Sequence, residues 1–452
     1  MNLKRMPTLS ALLILMIAML ACNVIAPPAS TPIASLGGGA SQPTTAAVPA
    51  TLPPAPTDEP IQPTAPPGPE RAPEMRIVYT DAGRNLWMWI DGASATEIIG
   101  TGDVTEARIS PDGHTVVFVR SPDYLNFSMW QVNADGSDER ILISEEVFQS
   151  MKNVPEAIGA QPYLWDWIPG TRKLAIMSAP TQDGPGMMAN DDLWYVDIDT
   201  SELKQIQPPG QGGVFYYSPD GQQVALVTAK TISLMNADGS NRRQSILEYP
   251  EVSTYSEYQY YTAPKWAPDS SYMRTSILPK EPLAEPRQQS SIWDIPTDGS
   301  ASRMIGVVTT VPFLGPELSP DLNHMAYAVE NSSSTSKERD LHIAVADGSG
   351  NSIYQTGQLD FMGWAPDSNR FVFTVGSDNQ AKLGAIGQAA VSFSDVNPVA
   401  AVSWLKDGKV IFLHRTSSSW EIRIGTPGGA SEVLVSLPGD SSKFMPTFAI
   451  YE

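Results

Sequence analysis

The sequence predicts an all-β fold, a closed β-propeller of four-stranded blades, on three observations. A motif of the type Ser-Pro-Asp-Gly recurs along the chain, an Asp-Gly-Ser motif follows most of its copies, and short apolar runs of strand length lie between them. Four-stranded units that repeat every ~40 to 50 residues are typical of β-propellers.

The first motif predicts a tight hairpin turn between two strands. Its copies lie at 109–113, 217–221, 266–270, 318–322 and 364–368, with decayed copies at 167–170 and 404–408. Proline presets the backbone torsion for the second position of a type I turn, serine suits the first position, and glycine accepts the positive torsion that closes the turn.

The second motif predicts another hairpin further along each unit. Copies lie at 133–137, 236–240, 297–300 and 346–349. The Asp-Gly pair is favoured in two-residue hairpin loops. Apolar runs such as Thr115–Val119 and Ser128–Val132 between the turns read as strands.

The repeat resembles the blades of TolB and of the propeller domains of prolyl-oligopeptidase-type peptidases. The resemblance rests on the Trp/Ser-x-Pro-Asp-Gly turn with its apolar strand and on the Asp-Gly-Ser turn, and it spans Met75–Glu452. It implies the fold but no activity, because propellers host unrelated functions. Those peptidases carry Ser, Asp and His in a separate α/β-hydrolase domain, so we do not expect peptidase activity from this repeat.

The two ends of the repeat are incomplete in complementary ways. The unit that begins at Met75 lacks a first strand, and the chain finishes with an unpaired apolar run at 444–451. Because a closed ring must satisfy its edges, we expect the last run to supply the innermost strand of the first blade. This gives eight blades; seven is the alternative, since 380–400 is weakly patterned.

Composition narrows the function classes. Lys plus Arg number 29 against 49 Asp plus Glu, for a net charge of −20, so the basic footprint of a nucleic-acid-binding protein is missing. The acidity suits a soluble extracytoplasmic domain, with binding of a cationic partner as the alternative. The one cysteine, Cys22, excludes a disulfide framework and a cysteine metal site.

Residues 1–22 read as a lipoprotein signal peptide. Lys4 and Arg5 precede an apolar run of about 12 residues, Leu9–Leu20, which is short for a transmembrane helix. The run ends at Met19-Leu20-Ala21-Cys22, which resembles the bacterial lipobox although its first two residues depart from the commonest pattern. We expect acylation of Cys22 to anchor the protein in the bacterial cell membrane, inner or outer, facing away from the cytoplasm.

Residues 23–74 predict a disordered linker. They contain 14 prolines and no aromatic residue, so they cannot build a core. Such a segment favours extended polyproline II structure and would hold the domain at 75–452 away from the bilayer.

Loop lengths predict a working face. Both families of tight turn emerge on one face of a propeller, whereas the long insertions at 144–161, 179–192, 247–263, 278–291 and 330–339 all emerge on the other. Elaborated loops on a rigid scaffold commonly carry function.

The candidate binding residues lie on these loops or near them. The stretch 248–261 holds five tyrosines and three glutamates, which suit a sugar, a peptide or a cationic group. The alternative is that some of these rings only cover the ends of blades. The candidate residues are Tyr163, Trp165, Asp191, Asp192, Tyr249, Tyr255, Tyr258, Tyr260 and Tyr261.

No catalytic or metal motif emerges. The chain has four histidines, which fall next to turns or inside strands, and it lacks the nucleophile-elbow, zincin and P-loop motifs. Asp191 and Asp192 are not part of a spaced calcium loop. We expect no cofactor.

Three functions compete at this point. The first is a non-catalytic scaffold for a protein, peptide or envelope glycan. The second is a propeller glycosidase, lyase or cyclase that uses carboxylates near the central channel, and the third is a structural subunit of an envelope complex. Glycosidase-type chemistry needs two carboxyl groups about 5 to 10 Å apart, which sequence alone does not establish.

Overall fold

The computed structural model of the chain describes residues 74–181, 189–256, 258–331, 338–439, 441 and 444–452. In these residues 32 strands form eight antiparallel four-stranded sheets. The prediction of an all-β propeller with eight blades is confirmed. Residues 1–22 with Cys22, and the linker at 23–74 except its last residue, lie outside the described residues, so the anchor and the linker stay predictions.

The strands of each blade, innermost first, are as follows. Blade 1 holds β32 (Phe448–Tyr451), β1 (Arg76–Thr80), β2 (Leu86–Ile90) and β3 (Thr96–Ile99); blade 2 holds β4 (Val104–Ile109), β5 (Thr115–Arg120), β6 (Ser128–Asn133) and β7 (Arg140–Ile143). Blade 3 holds β8 (Gly159–Trp167), β9 (Lys173–Thr181), β10 (Leu193–Asp197) and β11 (Leu203–Gln207); blade 4 holds β12 (Val214–Tyr217), β13 (Gln223–Val227), β14 (Thr231–Asn236) and β15 (Arg243–Glu248).

The second half of the ring repeats this order. Blade 5 holds β16 (Lys265–Trp266), β17 (Tyr272–Ile277), β18 (Ser290–Pro296) and β19 (Arg303–Val308); blade 6 holds β20 (Glu317–Leu318), β21 (His324–Glu330), β22 (Arg339–Val345) and β23 (Ser352–Gly357). Blade 7 holds β24 (Leu359–Trp364), β25 (Arg370–Val375), β26 (Gln380–Ala385) and β27 (Gln388–Ser392); blade 8 holds β28 (Val399–Trp404), β29 (Val410–Arg415), β30 (Ser419–Gly425) and β31 (Ser431–Pro438). One helix, α1 (Glu145–Ser150), lies between blades 2 and 3.

The first blade is composite, as the sequence predicts. Strand β32 pairs antiparallel with β1, with Ile77 opposite Ile450 and Tyr79 opposite Phe448. The weakly patterned region at 380–400 contains β26 and β27, which complete blade 7. These two strands decide between eight blades and seven.

Apolar clusters join each blade to the next around the whole ring. There are eight such clusters among the described residues, one between each pair of consecutive blades, and one of them joins blade 8 to blade 1 through Ile77, Ile411 and Ile422. The core is therefore a closed ring of interfaces rather than one central cluster, and burial of apolar surface in these interfaces stabilises the closure.

The Ser-Pro-Asp-Gly motif forms the turn between the first and second strands of a blade, as expected. The amide of Gly113 donates to the carbonyl of Ser110 at 2.8 Å, and Gly113 has a φ of +73°. Asp112 adds a bond that composition alone does not suggest: its Oδ1 accepts from the amide of His114 at 3.0 Å. Where glycine is replaced, as at Ser270 and Leu322, φ is still positive at 62°.

The Asp-Gly-Ser turn differs from the two-residue hairpin that we predict from its Asp-Gly pair. The amide of Gly136 donates to the carbonyl of Asn133, and the amide of Asn133 donates to the carbonyl of Ser137, both at 2.9 Å. A two-residue loop of type I′ would need positive φ at both central residues. Here Gly136 carries the positive φ, at 85°, so the loop is a type I turn closed by a glycine bulge. Asp135 accepts from the amide and hydroxyl of Ser137 and completes the turn.

Tryptophans of the innermost strands tie one blade to the blade before it. Trp266 Nε1 donates to the carbonyl of Tyr216 at 3.0 Å, and Trp364 Nε1 donates to the carbonyl of Glu317 at 2.9 Å. Trp165 makes the equivalent link to a side chain, Glu106 Oε2, at 2.6 Å. An innermost strand is an edge strand with unpaired backbone groups, and these bonds satisfy some of them.

Candidate functional site

The topology separates the connections of the ring into two faces. The turns from first to second strand and from third to fourth strand emerge on one face, which we call the turn face, and none of them exceeds six residues. The connections from second to third strand and between blades emerge on the opposite, elaborated face, and include α1 and the 16 residues between β15 and β16. The five insertions that the sequence shows all belong to this elaborated face.

Exposed apolar side chains follow the same division. Seven of them lie on connections of the elaborated face, and we call this set the apolar rim: Tyr124, Leu125, Val147, Ile158, Tyr255, Leu283 and Phe313. The other large exposed apolar residues among those described lie on the outermost strands or, for Val345, at the end of a third strand. The turns of the opposite face expose no large apolar side chain in the described residues. Two of these side chains, Tyr255 and Phe313, are in contact with each other, and adjacent exposed apolar side chains are a mark of interaction surfaces.

Tyr255 and Phe313 form the most ordered part of the apolar rim. Their rings meet edge to face with centroids 6.4 Å apart, and Tyr255 is 62% exposed. The Tyr255 hydroxyl donates to Glu281 Oε2 at 2.8 Å, which holds the ring in place without burying it. Both residues have positive φ, 55° and 64°, which is unusual for bulky side chains and costs backbone strain.

A cluster of tyrosines lies next to Asp191 on this side of the ring. We call it the phenol cluster; its members are Tyr163 on β8, Tyr216 on β12, and Tyr249, Tyr258, Tyr260 and Tyr261 on the connection from β15 to β16. Tyr261 contacts the carboxyl group of Asp191, Tyr163 and Tyr249 lie within reach of its charge, and the other members lie beside these phenols. The Tyr261 hydroxyl lies 3.1 Å from Asp191 Oδ1 and 2.8 Å from Gln259 Oε1. Burial, and then the charge of Asp191, raise the pKa of Tyr163 and Tyr261. Burial and then Tyr260 raise the pKa of Tyr249, to which Asp191 adds a smaller effect.

The carboxyl group of Asp191 is half-buried, and this burial disfavours its ionised form. Its pKa is raised to about 6, chiefly by burial; the bond from Tyr261 partly offsets the effect of burial, and the charge of neighbouring Asp192 adds to it. An unfolded aspartate has a pKa near ~3.9. The folded state therefore binds more protons between about pH 4 and pH 6, so the contribution of Asp191 to stability falls as pH rises through this window. At neutral pH the ionised group destabilises the fold. The residue also has a φ of +48°.

Asp192, its neighbour in sequence, is fully buried and points elsewhere. Its carboxylate accepts from the amide of Ser178 at 2.8 Å, from the Ser178 hydroxyl at 2.6 Å and from Trp194 Nε1 at 2.7 Å. Ser128 and Ser291 hold Trp130 and Trp293 in the same way, each two residues before its tryptophan. The structure thus places Asp192 in a recurrent strand contact rather than on the candidate surface.

Two further candidates lie inside the ring. Trp165 is 1% exposed and packs in the cluster between blades 2 and 3, with the guanidinium of Arg108 4.8 Å from its ring centroid. Tyr249 is buried in the cluster between blades 4 and 5, and its hydroxyl donates to the carbonyl of Thr228 at 2.6 Å. Both side chains stabilise blade contacts in this structure.

The remaining tyrosines of the stretch are half-buried. Tyr260 donates to the carbonyl of Ser276 at 3.3 Å, and burial raises its pKa to about 12. Tyr261 packs on the blade 4 to blade 5 cluster and reaches Asp191. Tyr258 lies close enough to Tyr163 to raise the pKa of that phenol. The five tyrosines therefore divide into one exposed ring outside the phenol cluster, Tyr255, one buried member of the cluster, Tyr249, and three half-buried members.

Sequence reasoning missed Tyr216, Phe313 and Tyr124. Tyr216 lies in β12, and nothing in the strand sequence marks it as functional. It joins the phenol cluster only because the ring brings β12 next to Tyr163 and Tyr260. Phe313 follows Pro312 and Tyr124 follows Asp123, each on a loop of the elaborated face. A search for aromatic residues on these loops would have found both.

A second candidate lies on the flank between blades 5 and 6. An open depression of about 440 Å³ is lined by residues that include Arg274, Asp294, Arg303, Asn323 and Asp347. Asp294 pairs with Arg274 at 2.6 Å and with Arg303 at 3.2 Å. Since these charged side chains are already paired with one another, the depression presents fewer free groups to a ligand than the elaborated face does.

Metal-binding clusters and membrane-spanning helices are both absent from the described residues. These residues contain no group of three or more His, Cys, Asp or Glu side chains arranged to hold a metal ion. In the same residues no helix is long and apolar enough to cross a bilayer.

Comparison with known proteins finds no matching family model and no matching curated protein. Solved structures similar to the chain include oligogalacturonate lyase from Vibrio parahaemolyticus, with 16% identity and a TM-score of 0.43 over 73% of this chain and 80% of that chain. TolB from Acinetobacter baumannii is 14% identical, with a TM-score of 0.31 over 61% of each chain. Dipeptidyl peptidase 4 from Porphyromonas gingivalis is 12% identical, with a TM-score of 0.48 over 73% of this chain and 52% of that chain. At such identities the likeness concerns the fold alone.

Proposed function

We propose that this chain is a membrane-anchored, extracytoplasmic propeller that acts as a non-catalytic scaffold and binds a protein or peptide on its elaborated face. The observation that carries the proposal is the apolar rim: seven exposed apolar side chains lie on connections of one face, while the turns of the other expose none among the described residues. Interfaces are built from such aromatic and aliphatic anchors with a polar surround. An envelope glycan would contact the phenol cluster more than the apolar rim.

An enzymatic role has less support. Among the candidate carboxyl groups, Asp191 faces the phenol cluster, but Asp192 is enclosed by Ser178 and Trp194. The pair therefore does not present the two accessible carboxyl groups that glycosidase-type chemistry needs.

The test of the docking face compares two variants of the full chain. Replacing Tyr255 and Phe313 together by Ala should weaken partner binding by at least ~2 kcal/mol, about 30-fold, the scale of an interface hot spot. Tyr255 and Phe313 are exposed, so the melting temperature should change little. Partners would be found by photo-crosslinking in cells from a benzophenone amino acid at position 255, and affinity would then be measured on purified proteins.

The matched control changes the turn face. A variant with Asp135, Asp238 and Asp347 replaced by Asn alters three exposed turns and removes three charges, and we expect it to bind the partner as the parent does. Crosslinks that form from position 135 and not from position 255 would overturn the assignment of the docking face.

The anchor is tested separately, on the run Leu9–Leu20 that ends at Cys22. Changing Cys22 to Ser removes the thiol that forms the thioether, so unprocessed precursor should accumulate and labelling with a fatty acid should be lost. Changing Ser30 to Ala, in the linker, is the control and should leave labelling intact. Equal labelling of the Cys22→Ser variant would contradict lipidation.

A further inference from the structure

The carboxyl group of Asp191 is held in place but incompletely satisfied. Its only side-chain donor among the described residues is the Tyr261 hydroxyl, 3.1 Å away, and that hydroxyl also lies 2.8 Å from Gln259 Oε1. A phenol has one proton to donate, so the two acceptors share it. The other carboxylate oxygen, Oδ2, has no hydrogen-bond donor in the described part of the chain.

No cation of the described residues pairs with Asp191. The ion pairs of the ring engage other carboxylates, and Lys265, on the innermost strand of blade 5, donates to the carbonyl of Leu318 and pairs with Glu317. The titratable groups that face Asp191 are phenols: Tyr163 from β8, and Tyr249 and Tyr261 from the connection after β15, with Tyr216 on β12 behind them. Among the described residues, the other charged group that acts on Asp191 is the carboxylate of Asp192.

The carboxyl group is also costly in the absence of a ligand. A half-buried carboxylate with no cation loses hydration without gaining an ion pair. Its backbone adopts a φ of +48°, and the amide of Gly212 donates to its carbonyl at 2.5 Å, which fixes the residue in that conformation. Strain and an unpaired charge at one residue are typical of a site built for a ligand.

We propose that Asp191 and the phenol cluster form a subsite for one positively charged group, an ammonium or a guanidinium on an apolar stem, carried by the partner that docks on the elaborated face. The carboxylate supplies the charge, and the half-buried phenols of Tyr163, Tyr258 and Tyr261 lie beside the cation, as aromatic side chains do in cation–π contacts. The net charge of −20 favours the approach of such a group. The inference rests on the proposed function and names the chemistry that the docking face selects.

The subsite is tested with small probes, so that the partner is not needed. Binding of n-butylammonium and n-butylguanidinium to the full chain in mild detergent would be measured by saturation-transfer NMR at pH 7.5, with n-butanol as the neutral probe of similar shape. We expect both cations to bind and butanol to bind at least 10-fold more weakly. Changing Asp191 to Asn should lower cation affinity at least 10-fold.

Acid supplies a second readout. Because the pKa of Asp191 is raised to about 6, protonation at pH 5 should weaken cation binding by the parent chain roughly 10-fold and leave butanol unaffected. In the absence of probe, the Asp191→Asn variant should melt a few degrees above the parent at pH 7.5, since it lacks the uncompensated charge. The difference should shrink at pH 5 and vanish below about pH 4, where the carboxyl group is protonated in both the folded and the unfolded state. This melting also shows that the variant is folded.

The control is Glu156→Gln, which removes one exposed charge from the same face and should leave cation binding unchanged. Equal binding of butanol and the cations, or unchanged cation affinity in Asp191→Asn, would overturn the subsite. So would binding of a methyl glycoside that is lost in Asp191→Asn while the cations give no signal. Cation binding without any crosslinked partner at position 255 would refute the docking proposal and leave the subsite standing.

Discussion

A chain that lacks residues 448–452 should lose the cooperative unfolding of the whole ring. These residues contain β32, the innermost strand of blade 1, whose pairing with β1 closes the ring. Phe448 and Ile450 pack against the cluster between blades 8 and 1, while Ala449 and Tyr451 pack against the cluster between blades 1 and 2. One strand thus contributes to two interfaces. With apolar burial worth up to ~1.5 to 3 kcal/mol per large side chain, we expect a loss of at least ~5 kcal/mol, comparable with the stability of a typical domain.

Urea unfolding followed by tryptophan fluorescence measures this effect. The truncated chain should unfold at much lower urea and with a shallower transition, because separate blades open independently. Deletion of Glu452 alone is the control: it removes the acceptor of the Lys406 amide but leaves β32 intact, so the midpoint should shift little. A truncated chain with the midpoint and slope of the parent would show that the ring does not close through β32.

The fold was predictable because its information is local. Each Ser-Pro-Asp-Gly turn carries its own torsional preferences, and the spacing of these turns sets the blades one by one. The weak point was blade 7, where β26 and β27 are joined only by Ile386 and Gly387 without the usual Asp-Gly-Ser signal. The prediction of a two-residue loop at the Asp-Gly-Ser motif is wrong. The pair Asp135-Gly136 is compatible with two hairpin classes, and the positive φ of Gly136 places the loop in the class with a glycine bulge.

The candidate site was predictable only in outline. The sequence predicts which connections share a face, because the alternation of strand direction decides on which side of the ring each connection emerges. Burial is not local, so the sequence does not separate the exposed Tyr255 from the buried Tyr249. Tyr261 and Asp191 are brought into contact by the ring although they are 70 residues apart in sequence, a separation that no pattern encodes.

The difference between Asp191 and Asp192 leads to the second large effect. Changing Asp192 to Ala should lower the free energy of unfolding by about 3 to 5 kcal/mol, because it leaves the buried amide of Ser178 and the Trp194 indole without their acceptor. Each buried donor left unpaired costs about 1 to 3 kcal/mol. The measurement is the urea midpoint at pH 7.5. Burial raises the pKa of Asp192, and the hydrogen bonds from Ser178 and Trp194 oppose that rise.

The repeat itself supplies the control for this prediction. In blades 2 and 5 a serine stands where blade 3 has Asp192, and its hydroxyl oxygen accepts from the tryptophan indole at 2.9 Å. Asp192→Ser should therefore retain the bond from Trp194 and cost roughly half as much as Asp192→Ala, since only the Ser178 donors lose their partner. If the serine variant were as unstable as the alanine variant, the contact with Trp194 would not be the shared strand feature that the three blades indicate, and Asp192 would have to act through Ser178 alone.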